Sequence, residues 1–156
     1  MLQHETAERT AAPQLMGRRW RVADMVPWVA QVVVALVLVQ TLFFKFTYAP
    51  ETQVIFGERG GRPAATAVGV MELVCAALLL VPRTATMGAV LSLTVISGAI
   101  FTHLTSLGIS IPVAPDRKER DGGLLFALAL LMAVGSAVVL AFRWRELPGL
   151  RLRGDG

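Results

Sequence analysis

The sequence predicts an all-α fold, an integral membrane four-helix bundle, and three observations carry that expectation. Four long apolar runs cover about residues 25–46, 63–82, 84–108 and 122–142. Apolar residues make up 54% of the 156-residue chain and mean hydropathy is +0.61, above the range of an ordinary soluble domain. The charged residues gather between and beyond the runs rather than within them. A helix of about 20 residues rises about 30 Å, the hydrocarbon thickness of a bilayer. A membrane barrel strand needs about half that length, so strands are excluded. The length fits one domain.

Composition also removes several function classes. Net charge is +4, from 15 basic and 11 acidic residues. The arginines flank apolar runs and form no patch interleaved with exposed aromatics, which argues against nucleic acid as a partner. Cys75 is the single cysteine, so neither an intrachain disulfide nor a C-x-x-C dithiol is available. Two histidines and one cysteine cannot build a four-ligand metal site, so no metal centre is expected. No glycine-rich nucleotide fingerprint follows a strand-like run.

Residues 1–24 read as a polar tail, disordered to about Arg18. No small-residue cleavage site follows a short apolar core, so the first run is expected to remain as a signal anchor. From Met25 to Phe44 that run carries no charge, and Gln31, Gln40 and Thr41 are its polar groups. Lys45 follows, with Tyr48 in an aromatic-belt position. Residues 49–62 read as an exposed loop turned by glycines. The second and third runs are separated by Arg83 alone, which forces an antiparallel hairpin. Residues 110–121 hold two prolines and a mixed charge run and read as a solvated loop. Asp121 is placed to cap a helix starting near Gly122, its carboxylate accepting backbone N–H groups. The fourth run is uncharged, and residues 143–156 form a basic tail. Small residues are expected at the helix contacts: Gly69 and Ala76 beside Glu72, Gly88, Ser92 and Gly98 along the third run, Gly135 and Ser136 along the fourth.

Four spans put both tails and the turn at Arg83 on one side. That side holds nine basic residues (Arg9, Arg18, Arg19, Arg21, Arg83, Arg143, Arg145, Arg151, Arg153) and the other five (Arg59, Arg62, Arg117, Lys118, Arg120). The positive-inside rule then predicts that the N and C termini are cytoplasmic. Trp20, Trp28 and Trp144 fall near the inner interface, Tyr48 near the outer one.

Three residues stand out chemically. Glu72 lies nine residues into the second run, about 14 Å below the outer boundary. A carboxylate there costs on the order of 2.5 kcal/mol unless it is paired, protonated or wetted. Gln or Leu would pack at lower cost, which favours a proton carrier or binding carboxylate over a structural tie. Lys45 is either a lysine snorkelling from a helix end, the commoner case, or one bent inward to Glu72. The expected depth difference means that a direct pair needs tilt, a shifted boundary or a bridging water. His103 lies nineteen residues past Thr84, about 28 Å from the inner face and so level with Lys45. It reads either as a polar anchor or as a proton-handling group facing the bundle with Ala99 and Ser106. The three can line one outward-facing polar pocket. Cys75 shares the face of Glu72 and reads as an inert buried thiol.

Four stretches carry a family resemblance: FFKFTYAPE after the first run, GVMELVCAALLLVPRT across the second, GAIFTHLTSLGI closing the third and DGGLLFALAL opening the fourth. In this order and spacing, over roughly residues 40–130, the chain resembles the DoxX-like family of small four-helix membrane proteins. The resemblance marks Lys45, Glu72, Pro82, His103, Gly108 and Asp121-Gly122-Gly123 as family-like positions. Thr41 and Phe44 stand where that family often has a small residue and a glycine. Some relatives resemble a subunit of thiosulfate:quinone oxidoreductase and others are linked to membrane redox complexes. The resemblance therefore implies a redox-associated subunit of a bacterial-type cytoplasmic membrane that binds a quinone or similar small molecule. Lys45, Glu72 and His103 would bind the ligand, Glu72 and His103 handling protons. No cofactor site is visible in the chain, so electrons are expected from a redox protein partner or a soluble reductant. Beside the lipid bilayer, a homo-oligomer is the other partner expected. A non-enzymatic membrane binding or assembly subunit is the main alternative. A small proton-coupled transporter is a third, weakened by the lack of a broken helix or inverted repeat.

Overall fold

A hydrocarbon layer offers no hydrogen bonds, so each run must satisfy its own backbone and becomes a helix. The computed structural model describes residues 22–144. Its helices are α1 (Val22–Thr47), α2 (Pro50–Phe56), α3 (Gly61–Leu80), α4 (Ala85–Thr102) and α5 (Leu124–Arg143), with α4 continuing into a π-helical turn at His103–Leu107. Among the described residues there is no strand, only an isolated antiparallel bridge between Pro112 and Arg120. Four segments are long and apolar enough to cross a membrane: Met25–Thr47, Gly61–Leu80, Ala85–Leu107 and Leu124–Arg143. The expectations for the tails at 1–21 and 145–156 lie outside the described residues.

The four long helices pack as a ring: α1 touches α3 and α5, and α4 touches the same two. One end of the ring carries the α3–α4 turn with the start of α1 and the end of α5. This is the hairpin end; the opposite one is the loop end. Each helix buries one stripe at three- and four-residue spacing and leaves the rest apolar and exposed, as a lipid-facing helix does. On α1 the stripe runs through Gln31, Val34, Ala35, Leu38 and Leu42; on α3 it runs through Ala65, Gly69, Glu72, Cys75, Ala76 and Leu79.

Small residues set three of the contacts. A methyl group on Gly88 would sit 2.7 Å from the Leu79 nitrogen, so α3 and α4 meet backbone to backbone. One on Gly135 would sit 2.5 Å from Val34 Cγ2, and one on Gly69 3.1 Å from the Phe46 ring. Gly98, expected at a contact, has nothing within 4 Å of such a methyl. Polar stitches cross the α4–α5 seam: Ser136 Oγ donates to Ser92 Oγ at 3.1 Å, and Thr86 Oγ1 donates to the Arg143 carbonyl at 3.1 Å.

Both loop-end connections are more ordered than the sequence suggested. The 49–62 stretch contains α2, which starts on Pro50 and packs against α3. Thr52, buried, ties α2 back to α1 by donating to the Phe44 carbonyl at 3.0 Å. In the 110–121 loop Ile111 is fully buried, and Asp121 gathers the chain. Its Oδ1 accepts from Ser110 Oγ (3.1 Å), Ile111 N–H (2.8 Å) and Gly123 N–H (3.0 Å), and its Oδ2 from Leu125 N–H (3.0 Å). The carboxylate thus serves the α5 N-terminus as expected, although the helix starts at Leu124 and the residue at its edge is Gly123. Partial burial pushes the pKa of Asp121 up, but the four hydrogen bonds outweigh it and the net shift is downward from 3.8.

Two outcomes follow from this packing. Gly88→Ala should lower the thermal midpoint in detergent because backbone stands where the methyl must go, whereas Gly98→Ala should leave it unchanged or raise it, by up to about 1 kcal/mol in helix propensity. For Asp121 the folded-state pKa is depressed, so its stabilisation is present above the unfolded value and disappears as pH falls through the folded one. Asp121→Asn should therefore cost on the order of 1 kcal/mol near neutrality. Unfolding followed against pH should show that the difference closes below the ordinary carboxylate range.

Candidate functional site

Three side chains from two helices form the polar centre of the bundle. Lys45 Nζ lies 2.7 Å from Glu72 Oε2, and Thr41 Oγ1 donates to the same oxygen at 3.0 Å. Thr41 also approaches the Leu38 carbonyl at 2.8 Å, so its single proton is shared between two acceptors. Thr41 and Lys45 are four residues apart on α1 and present one face to α3, where Glu72 is part of the buried stripe. Side-chain exposure is 14% for Lys45 and 6% for Glu72, so the pair is nearly withdrawn from its surroundings.

This is an inward lysine, not the snorkelling one that its position near a helix end favours. Helix register explains it. Lys45 is level with Gly69, where an added methyl would lie 3.4 Å from Lys45 Cβ. Gly69 is three residues from Glu72, a rise of about 4.5 Å, which a lysine side chain spans easily. Level helix ends, with the end of α1 beside the start of α3, would hold the two side chains apart. Instead α3 begins at Gly61 and runs on past the end of α1, beside α2. Gly69 then lets α1 come close enough for the ammonium to reach the carboxylate.

The pair retains bonding capacity. Among the described residues Glu72 Oε1 takes no hydrogen bond, and Lys45 uses one of its three donors on Glu72. No fully enclosed side-chain nitrogen or oxygen lacks a partner among the described residues, so Oε1 is not fully enclosed. In a low-dielectric layer an ammonium and a carboxylate held this way can receive a carbonyl and a hydroxyl from one small molecule.

His103 belongs to a different arrangement. Its Nδ1–H donates to the Gly108 carbonyl at 2.8 Å, while Gly108 N–H returns to the His103 carbonyl at 2.8 Å. This double closure holds the π-helical turn, and Gly108 ends it at φ 82°, a conformation suited to glycine. The ring is buried and lies 5.5 Å from that of Phe126 on α5. Gly88 faces Leu79, so His103, fifteen residues further along α4, falls level with Ala64. That is about 7 Å nearer the loop end than Gly69 and Lys45, not level with them. The structure thus brings Lys45 and Glu72 together and assigns His103 to the α4–α5 seam.

Two features escaped the sequence reading. Thr41 is a donor to Glu72, and its spacing of four from Lys45 was the available signal. Gln31, fully buried, is the other: with its amide oriented to satisfy both neighbours, its nitrogen donates to the Leu79 carbonyl at 3.3 Å and its oxygen accepts from Arg143 Nε at 2.8 Å, tying three helices at the hairpin end. Cys75 is buried one turn from Glu72. Among the described residues no cluster of His, Cys, Asp and Glu could hold a metal ion.

Comparisons with protein-family models, curated proteins and solved structures returned no match.

The ion pair should behave asymmetrically. Lys45→Met strands a short carboxylate deep in the bundle and is expected to cost about 3 kcal/mol of stability. Glu72→Leu should cost less, because the long lysine can swing out to the boundary. Lys45→Met with Glu72→Leu should recover most of the loss; unfolding in mild detergent across this double-mutant cycle measures it.

Proposed function

We propose that this chain is a DoxX-like, redox-associated membrane subunit that binds a quinone or similar lipid-soluble molecule at Lys45 and Glu72. The observation that carries the proposal is the unfilled bonding capacity of an ion pair embedded between two membrane-spanning helices. The residues fit such a head group. Lys45 Nζ has donors for a ring carbonyl, and Glu72 Oε1 is an acceptor for the hydroxyl of the reduced form. Phe46, packed over Gly69, supplies an apolar flank. A bound quinone would supply two-electron, two-proton chemistry, with electrons from a redox protein partner. This chain's part is to orient the head group and to pass protons at Glu72 Oε1. Under this proposal the termini are cytoplasmic, as the arginine distribution favours, and the membrane is a bacterial-type cytoplasmic one.

A second reading is favoured by the same geometry. Thr41 and Lys45 both converge on Glu72 Oε2, which is also how a structural tie would be built in a non-enzymatic assembly subunit.

Mass spectrometry of quinones and lipids copurified in mild detergent separates the two. Wild type should carry an enriched quinone, and Glu72→Gln should lose it while keeping its helical content and elution position. A wild type with no enriched small molecule, copurifying instead with a fixed protein partner, would move the conclusion to the assembly subunit.

A further inference from the structure

Thr41 Oγ1 stands between two acceptors, Glu72 Oε2 at 3.0 Å and the Leu38 carbonyl at 2.8 Å, and it has one proton to give. A tie built only to hold an ionised Glu72 needs the first contact and not the second. Leu38 lies inside α1, where the helical ladder already supplies its carbonyl with an N–H, so the carbonyl does not depend on the hydroxyl. We infer that Thr41 is a positioning residue for a proton on Glu72, its hydroxyl turning from Glu72 to Leu38 when the carboxylate becomes a carboxylic acid. This rests on, and deepens, the reading of Glu72 as the group that passes protons at the proposed site.

Donor and acceptor counts are the first reason. Among the described residues, Lys45 and Thr41 are the side chains within hydrogen-bond reach of Glu72. An ammonium has three donors and no acceptor, so Lys45 serves the carboxylate and has nothing to offer a Glu72 O–H. A hydroxyl serves both. With Glu72 ionised, Thr41 donates to Oε2 beside Lys45 Nζ at 2.7 Å. When a proton from solvent binds Oε2, the new O–H donates to Thr41 Oγ1 and the threonine proton swings to the Leu38 carbonyl. The step adds one proton and one positive charge, and neither state leaves an O–H without an acceptor. Lys45 then faces no counter-charge, so the protonated site favours an anionic ligand oxygen.

Isolation is the second reason. Lys45 is the charged group that faces Glu72 from α1. On α3 itself the nearest titratable group is the buried Cys75 thiol, one turn away. On α4 and its π-helical continuation it is His103, level with Ala64 and so about 12 Å nearer the loop end. On α5 it is Arg143 at the hairpin end, and on α2 it is Glu51 at the loop end.

Infrared spectra of the protein in lipid vesicles, recorded without added quinone as pH is lowered, test this. A carboxylic-acid C=O band that grows in wild type and is missing from Glu72→Gln belongs to Glu72. Thr41→Val, which keeps the shape and removes the hydroxyl, should move that band to higher wavenumber or abolish it, because the Glu72 O–H loses its acceptor. Thr41→Ser should return it to the wild-type position, whereas a steric role would be kept by valine rather than serine. Should Thr41→Val lose wild-type helical content by circular dichroism, Thr41→Ala should give the same displacement. An unmoved band in a folded variant without the hydroxyl, or a Thr41→Ser band displaced like that of Thr41→Val, would overturn the proposal. So would the lack of a Glu72-dependent band at every pH at which the helices persist. The spectra need no ligand, so a wild type that copurifies with no quinone fails the redox reading by itself and leaves Thr41 to this test.

Discussion

A charge carried into hydrocarbon must bring its counter-charge with it, and the pairing of Glu72 with Lys45 meets that constraint at 2.7 Å. Much of the bundle is arranged around this contact. Glu72 is too short and too deep to reach a boundary, so the partner has to come to it. Lys45 reaches it because α1 passes close to α3 at Gly69, and α1 can pass so close because Gly69 has no side chain. Thr41, one turn earlier on α1, gives the carboxylate a second donor. A larger residue at Gly69 would meet Phe46 and the Lys45 stem before it met anything else.

The remaining polar groups follow the same logic at lower charge. Ser92 with Ser136 and Thr86 with the Arg143 carbonyl hold α4 to α5. Gln31 and Arg143 bring α1, α5 and the α3–α4 turn together at the hairpin end. At the loop end the work passes to two closures, His103 with Gly108 and Asp121 with four donors. Lipid solvates apolar side chains as well as protein does, so close backbone approach and specific polar pairs, rather than apolar burial, give such a ring its register.

This arrangement separates groups that looked alike. Lys45, Glu72 and His103 are each an isolated charged or titratable polar residue in a long apolar run. Two of them form a pair at the α1–α3 interface, with an oxygen and two N–H groups left over. The third uses its ring to close a turn and pack on Phe126, which makes it part of the frame that sets the loop end.

Hydropathy and charge placement alone determined the four spans, their helical state and the hairpin at Arg83, because in lipid the backbone must satisfy itself within each segment. They also singled out Glu72, since an unpaired carboxylate at that depth is too costly to be incidental. The buried stripe through Gly69, Cys75 and Ala76 was legible from helical spacing. Only the tertiary structure decided which residue answers Glu72. The register between α1 and α3 depends on where α3 begins and on α2, and neither leaves a hydropathy signal. Matching helix ends put Lys45 too far from Glu72 and His103 level with Lys45; matching Gly69 to Lys45 and Gly88 to Leu79 reversed both. The order in the 110–121 loop was hidden for a related reason: its prolines and charges describe solvation, while the Asp121 knot is made of backbone donors that a side-chain pattern does not display.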